Sequence, residues 1–256
     1  QAIVEVTHDL AVAYKLNLAF YEALGDQGWL DLEATIAYIR SKGDCFIIAD
    51  AKDPDMGPAL AATGPKRAPD GTWDRYRTRA EFLDQVRAIV AQDIVDIMLM
   101  SASNVEVLTD EGLFRDSAVK ASIRANDTTD IWVMRGATYS KKPSLPFRTA
   151  SLPRVMWGTA TPCPGAQVTG TDLGLYSITF NNNLDSDYAS LLAFNEFRAE
   201  AAECGFRYFL EVFNPNVDSG IDPESNSDVG STSSLPSDFQ AMPVPTYFIL
   251  RLNVAF

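Results

Sequence analysis

Apolar runs of strand length recur along the chain, and several of them are followed by segments with helical spacing. Eight of these runs are candidate strands, at residues 12–17, 45–51, 95–101, 119–124, 154–158, 174–180, 208–213 and 247–254. Such runs are typical of parallel strands that helices bury on both faces. Their number and the chain length of 256 residues predict one α/β domain over residues 1–256, a (β/α)8 barrel of the TIM type.

Three segments between the strands carry apolar residues at the spacing of amphipathic helices. The first two place them at Leu32, Ile36 and Ile39, and at Phe82, Val86, Ile89 and Val90. A third helix is predicted over residues 187–204, with its cap near Asp185 and its end at Gly205. Residues 136–172 and 214–245 lack helical spacing and are predicted as long loops, which either bind ligands or cross the surface.

The composition narrows the classes of partner. The chain has 34 acidic and 21 basic side chains, a formal net charge of −13. Nucleic-acid binding requires clustered Lys and Arg, whereas this chain has only short pairs such as Lys66-Arg67 and Lys141-Lys142. It has three scattered cysteines, no signal-like start and no apolar run of membrane-spanning length. These features predict a reducing, cytoplasmic setting with no nucleic-acid or membrane partner.

Candidate chemistry concentrates at the end of the strand predicted over residues 45–51. Asp50 and Lys52 stand two residues apart and therefore on one face, and Asp55 follows in the next turn. Active sites of parallel barrels form at the carboxyl ends of strands, so inward charges there favour chemistry; solvated charges at an exposed strand end are the alternative. Lys15 ends the preceding strand, and we expect its ammonium beside Asp50.

The sequence around these charges resembles a known enzyme family. The segments AYKLNLAFYEALG at 13–25, LEATIAYIR at 32–40 and DAKDPDMG at 50–57 resemble orotidine 5′-phosphate decarboxylase in order and spacing. Gly136-Ala-Thr138 resembles a turn of that family. The chain begins beyond the family's first strand, which carries an Asp, and it has Asp53-Pro54 where the family has Arg-Gly. The expected barrel therefore has its usual first strand missing or replaced.

The resemblance implies a homodimer that decarboxylates a small phosphorylated substrate, most specifically orotidine 5′-phosphate to uridine 5′-phosphate, without a cofactor. Lys52 would protonate the carbanion, and Asp50 would repel the departing carboxylate. Lys15 would order the charged network, and Asp55 would reach the site of the neighbouring subunit. No metal is expected, because Lys52 between the two carboxylates neutralises the charge that Mg²⁺ would otherwise balance.

Phosphate binding has candidates in the second half of the chain. Pro164-Gly165-Ala166-Gln167 resembles the phosphate loop of the same family, so Gly165 and Gln167 would approach the substrate phosphate. Arg251, in the last predicted strand, is a further candidate because barrels often hold phosphates beside their last two strands.

Two other functions remain open on the sequence. Lys120, Ser122 and Arg124 alternate on one face of the strand at 119–124, so Lys120 is a candidate Schiff-base lysine of a class I aldolase acting on a sugar phosphate. A barrel that binds a ligand without turnover is the second alternative. His8, the single histidine, gives no basis for a histidine metal site or a Ser-His-Asp triad.

Overall fold

The fold is known from a computed structural model, which describes residues 1–51, 65–68, 72–127, 142–213, 215, 217–218 and 251–252. The helices in these ranges are α1 (Ala2–Thr7), α2 (Leu18–Glu22), α3 (Asp26–Lys42), α4 (Arg79–Gln92), α5 (Ala102–Asp110), α6 (Leu152–Trp157) and α7 (Leu184–Cys204). The strands are β1 (Ala13–Asn17), β2 (Phe46–Asp50), β3 (Pro65–Arg67), β4 (Trp73–Tyr76), β5 (Ile97–Met100), β6 (Lys120–Arg124), β7 (Asn126–Asp127), β8 (Phe147–Arg148), β9 (Leu173–Thr179), β10 (Arg207–Phe213) and β11 (Arg251–Leu252). None of these helices is both long and apolar enough to cross a membrane.

The main sheet confirms the predicted α/β class. Within the described ranges it has seven strands in the order β1-β2-β5-β6-β9-β10-β11. The first six are parallel to their neighbours, and helices connect them. β11 runs antiparallel to β10. The strands β3 and β4, and likewise β7 and β8, form separate antiparallel pairs.

The six parallel strands curl into a half-barrel. Lys15 in β1 and Glu211 in β10 lie at opposite ends of the parallel set, yet their side-chain nitrogen and oxygen are 3.0 Å apart. In a flat sheet, five intervals of about 4.8 Å would separate these strands by roughly 24 Å. The contact therefore requires strong curvature, which turns one face of the sheet into an interior.

The curvature divides the hydrophobic core into two parts. The larger part lies between the convex face and the helices, where it buries the apolar faces of α3 and α4 as their periodicity predicts. The smaller part fills the concave face with Ile48, Leu99, Leu175 and Phe209. Each of the four comes from a different parallel strand, so the interior is a packed layer rather than an open channel.

Two of the eight predicted strands are wrong or altered. Residues 152–157 form α6 instead of a strand; the helix follows Ser151, carries Pro153 in its first turn and ends at Gly158 with φ of +70°. Pro is tolerated there because first-turn N–H groups have no helical partner, and glycine adopts the left-handed conformation without strain. Of the run at 247–254, only β11 is described, and it is antiparallel.

The prediction of a third helix is confirmed with a shifted start, whereas one of the two predicted long loops contains regular structure. The helix predicted over 187–204 is α7; it begins three residues earlier, with Asn183 as the cap, and ends at Gly205 with φ of +69°. The loop predicted over 136–172 contains β8 and α6 among its described residues. Most of the loop predicted over 214–245 lies outside the described ranges.

Gly174 provides a test of this packing. A β-carbon added to this residue of β9 would come within 2.8 Å of the Phe206 ring and 3.2 Å of Ile123. Because both neighbours are buried, Gly174→Ala should lower the free energy of unfolding by about 1–3 kcal/mol in urea denaturation. The control is Gly43→Ala, since nothing lies within 4 Å of that added carbon and the backbone is extended. Equal stability of the two variants would contradict the packing.

Candidate active site

Four buried charged side chains meet at the carboxyl-terminal side of the half-barrel interior. Lys15 belongs to β1, Asp50 ends β2, Arg124 ends β6, and Glu211 lies in the second half of β10. Their side chains expose between 0% and 6% of their surface. We call these four residues the charged cluster. Asp50 and Glu211 lie two residues further along β2 and β10 than Ile48 and Phe209 of the apolar layer. Lys15 is aligned with Ile48 and Arg124 with Leu175, and their long side chains extend to the two carboxylates.

The cluster alternates positive and negative groups. The Lys15 ammonium pairs with Oδ2 of Asp50 and lies 3.0 Å from Oε1 of Glu211. The Arg124 guanidinium pairs with Oδ1 of Asp50 and donates to the Ala51 carbonyl oxygen at 3.2 Å. Each oxygen of Asp50 therefore faces one cation.

A second set of contacts fixes the carboxylate of Glu211. The Ser177 hydroxyl donates to Oε2 of Glu211 at 3.0 Å. The backbone of Ser177 is held in turn by the Asn126 side chain, which donates to its carbonyl oxygen and accepts from its N–H, both at 2.7 Å. Among the described residues, Oε2 of Glu211 is thus hydrogen-bonded by Ser177, whereas Oε1 meets Lys15 as an ion pair without a hydrogen bond.

The burial of these charges needs an explanation other than stability. Removing an ion from water costs several kcal/mol even after relaxation, and a buried ion pair often stabilises a fold no better than apolar side chains of similar volume. The two cations and two anions of the cluster compensate one another. Preorganised charges of this kind, at the end of a parallel sheet where barrels assemble their active sites, are suited to stabilising an anionic transition state.

The structure brings some of the predicted site residues together. Lys15 lies beside Asp50 as expected, because β1 and β2 are parallel neighbours in which Asn17 is aligned with Asp50. Lys52 and Asp55 lie outside the described residues, and so does the turn at 136–138. Within the described ranges, no three His, Cys, Asp or Glu side chains lie close enough to hold a metal ion.

The predicted phosphate loop lies away from the cluster. Gly165 and Gln167 are exposed in the connection between α6 and β9. That connection is tied at its end to α6, since the N–H groups of Thr169 and Gly170 donate to the Met156 carbonyl oxygen at 2.9 and 3.0 Å. It leads into the amino-terminal end of β9, whereas the cluster occupies the carboxyl ends. The expectation that these two residues join Lys15 and Asp50 is therefore not supported by the described geometry.

Arg251 has only its backbone described. It is aligned with Leu210 in the antiparallel pair of β11 and β10, one residue before Glu211. Its backbone is thus close to the cluster along β10, and its role in phosphate binding stays a prediction.

Lys120 lies at the opposite end of the sheet from the cluster. It begins β6, whereas Arg124 ends the same strand. Its ammonium is 2.6 Å from Oδ1 of Asp172, and Oδ2 of the same carboxylate accepts from Arg207 at 2.9 Å. The Lys120 side chain is 42% exposed. A Schiff-base lysine at the carboxyl-terminal site is therefore not supported at this position.

Sequence reasoning missed two members of the cluster. Glu211 interrupts the otherwise apolar run of β10, and Arg124 ends β6, where Asp50 ends β2. The rule that drew attention to Asp50, a charge near the carboxyl end of an apolar strand, applies equally to both. The ion pair of Arg124 with Asp50 could not be predicted from the sequence, because the two residues come from strands that are not direct neighbours.

Comparisons with known proteins agree with part of this picture. No family model matches the chain. It is 53% identical over 58 residues to orotidine 5′-phosphate decarboxylase of Flavobacterium johnsoniae, covering 22% of this chain and 21% of that one. It is 53% identical over 62 residues to orotidine 5′-phosphate decarboxylase of Bacteroides fragilis, covering 24% of this chain and 23% of that one. It is 55% identical over 58 residues to the enzyme of the same name in Parabacteroides distasonis, covering 22% of this chain and 21% of that one.

The matched stretch thus spans less than a quarter of the length of these curated relatives. Its length of 58 to 62 residues is close to that of residues 1–57, which carry the motifs. Over that stretch the chain is similar to orotidine 5′-phosphate decarboxylases. Among solved structures, a type I 3-dehydroquinate dehydratase from Clostridium difficile aligns with a TM-score of 0.45 and 12% identity, over 83% of this chain and 69% of that one.

The cluster makes a stability prediction. Asp50→Ala removes the carboxylate between Lys15 and Arg124, and we expect a loss of about 3–5 kcal/mol in the free energy of unfolding because buried charge is left uncompensated. Asp84→Ala is the matched control, since that carboxylate pairs with Arg87 but its side chain is 76% exposed. The control should lose less than about 1 kcal/mol in urea denaturation. Similar losses in both variants would argue against a buried network.

The ion pair of Lys120 and Asp172, at the amino-terminal ends of the strands, makes a prediction on the pH dependence of stability. Burial raises the pKa of Asp172, but the hydrogen bonds and charges of Lys120 and Arg207 outweigh it and leave the pKa below its usual value. The resulting stabilisation is present above the unfolded pKa of about 4 and is lost as pH falls through the lower folded value. Thermal unfolding of Lys120→Met should therefore differ from wild type most near neutral pH, and least in acid where Asp172 is protonated. A difference independent of pH would refute this assignment.

Proposed function

We propose that the chain is a carbon–carbon lyase that decarboxylates orotidine 5′-phosphate to uridine 5′-phosphate. The observation that carries the proposal is the buried pair formed by Lys15, in the middle of β1, and Asp50, at the carboxyl end of the adjacent parallel strand β2. Both residues belong to the motifs that resemble the decarboxylase family, and 58 to 62 residues of the chain are about half identical to curated members.

The chemistry requires a stabilised carbanion. The bond between the pyrimidine ring and its carboxyl group breaks, CO2 leaves, and the electron pair stays on the ring carbon. In this proposal, the ammonium of Lys52 donates a proton to that carbon, which forms a C–H bond, and the amine then regains a proton from solvent. Cations fixed before the reaction lower the energy of the anionic transition state without reorganisation at the moment of bond cleavage.

Asp50 and Lys15 have supporting roles in this reaction. A carboxylate at Asp50 repels the carboxylate of the bound substrate and favours its departure as neutral CO2. Lys15 and Arg124 each pair with one oxygen of Asp50, so the position of the Asp50 carboxylate is fixed before the substrate arrives. Asp55 is assigned to the site of a second subunit, which makes the active form a homodimer in this proposal.

The substrate phosphate needs a separate binding group. Gly165 and Gln167 lie at the amino-terminal side of the sheet, so we do not assign the phosphate to them. Arg251 stays the candidate that the sequence predicts; its backbone pairs with Leu210 of β10, whose side chain packs against the helix-side core rather than the cluster. A guanidinium there would bind the phosphate through paired hydrogen bonds.

The proposal is tested by turnover of orotidine 5′-phosphate, followed by its ultraviolet absorbance with and without a chelator. Wild-type protein should produce uridine 5′-phosphate in both conditions. Lys52→Ala should abolish turnover, because the proton donor is lost, whereas the matched control Lys120→Ala should retain the wild-type rate because Lys120 lies at the other end of the sheet.

Three outcomes would contradict the proposal. Loss of activity in Lys120→Ala alone, with a borohydride-trapped sugar phosphate on that lysine, would identify an aldolase. Tight nucleotide binding without release of CO2 would identify a ligand-binding protein. Loss of turnover in the presence of chelator would show that a metal takes part.

A further inference from the structure

Lys15 receives its second carboxylate from the far side of the sheet. Asp50 is on the neighbouring strand β2, whereas Glu211 is on β10, at the other end of the six parallel strands. The Lys15 ammonium nevertheless lies 3.0 Å from Oε1 of Glu211, and both side chains are 2% exposed. A contact between such distant strands exists only because the sheet curls.

Contacts other than the one with Lys15 fix the orientation of the Glu211 side chain. Its other oxygen, Oε2, accepts from the Ser177 hydroxyl at 3.0 Å, and Ser177 is aligned with Glu211 in the pairing of β9 and β10. The side chain of Asn126 holds the backbone of Ser177 from both sides. A carboxylate so constrained presents Oε1 to the interior in one direction.

We propose that Glu211 is a positioning residue that holds the Lys15 ammonium against Asp50 from the opposite side of the curled sheet. The proposal rests on the function proposed above, since Lys15 and Asp50 belong to that reaction. Asp50 pairs with both Lys15 and Arg124, and Glu211 gives Lys15 a second carboxylate. With Glu211 present, the described cluster holds two cations and two anions, and each charge has an opposite partner.

A purely structural role for Glu211 has different consequences. If the contact with Lys15 only tied the two sides of the sheet together, its loss would lower stability without changing the rate of the folded enzyme. If Glu211 positions Lys15, its loss should slow the chemical step while substrate binding stays nearly unchanged. A comparison of kcat with KM separates the two roles.

The variant that tests this is Glu211→Gln, which removes the charge at nearly constant volume. We expect kcat for orotidine 5′-phosphate to fall by about 10- to 100-fold, the scale of groups that orient a functional residue without touching substrate, and KM to stay within about twofold. Glu200→Gln is the matched control, because Glu200 pairs with Arg148 at 2.7 Å and accepts from the Leu152 N–H at 2.8 Å, outside the cluster. The control should keep both constants.

A second measurement does not depend on turnover. In protein labelled with ¹³C at the lysine side chains, the Lys15 signal is identified by its absence from Lys15→Met. The charges facing that ammonium in the described residues are Asp50, Glu211 and, through Asp50, Arg124. At neutral pH the chemical shift of the Lys15 signal should differ from wild type in Glu211→Gln and match wild type in Glu200→Gln, because only the first variant loses the carboxylate 3.0 Å from that ammonium.

The outcomes separate this inference from the proposed function. An unchanged kcat, a loss expressed only in KM, or an unchanged Lys15 chemical shift in Glu211→Gln would each overturn the role of Glu211. If wild-type protein does not decarboxylate orotidine 5′-phosphate and the Lys15 chemical shift still changes in Glu211→Gln, the proposed reaction is wrong while Glu211 keeps its place as the residue that positions Lys15.

Discussion

The Lys15 ammonium lies between two carboxylates, and much of the architecture depends on that arrangement. Asp50 comes from the adjacent strand and Glu211 from the far end of the parallel set. A buried ammonium with a single, shared carboxylate would retain much of its desolvation cost. The curl of the sheet and the compensation of charge are therefore linked, because the second carboxylate is within reach only when opposite strands approach one another.

The interior is arranged in two levels with different tasks. The apolar level of the concave face supplies packing, while the charged cluster beyond it concentrates electrostatic interactions in a volume closed to water. Helices on the convex face stabilise the sheet through a separate and larger core. Parallel α/β folds keep chemistry at the strand ends and support beneath it, which is how they accommodate many reactions.

The similarity to orotidine 5′-phosphate decarboxylases covers less than a quarter of the chain, and the cluster extends beyond the motifs that resemble that family. Arg124 and Glu211 come from later strands and complete the environment of two residues that the motifs contain. The charged cluster of this chain therefore combines Lys15 and Asp50, which lie in the motifs, with Arg124 and Glu211, which later strands supply.

The sequence by itself determined the local elements and the first pair of the site. Periodicity identified α3, α4 and most strands, because burial on one or both faces leaves a pattern in neighbouring residues. Strand adjacency then brought Lys15 to Asp50. Only the tertiary structure decided that Glu211 and Arg124 join them. Such contacts depend on curvature and on the direction in which each connection approaches a strand, and neither leaves a local signal.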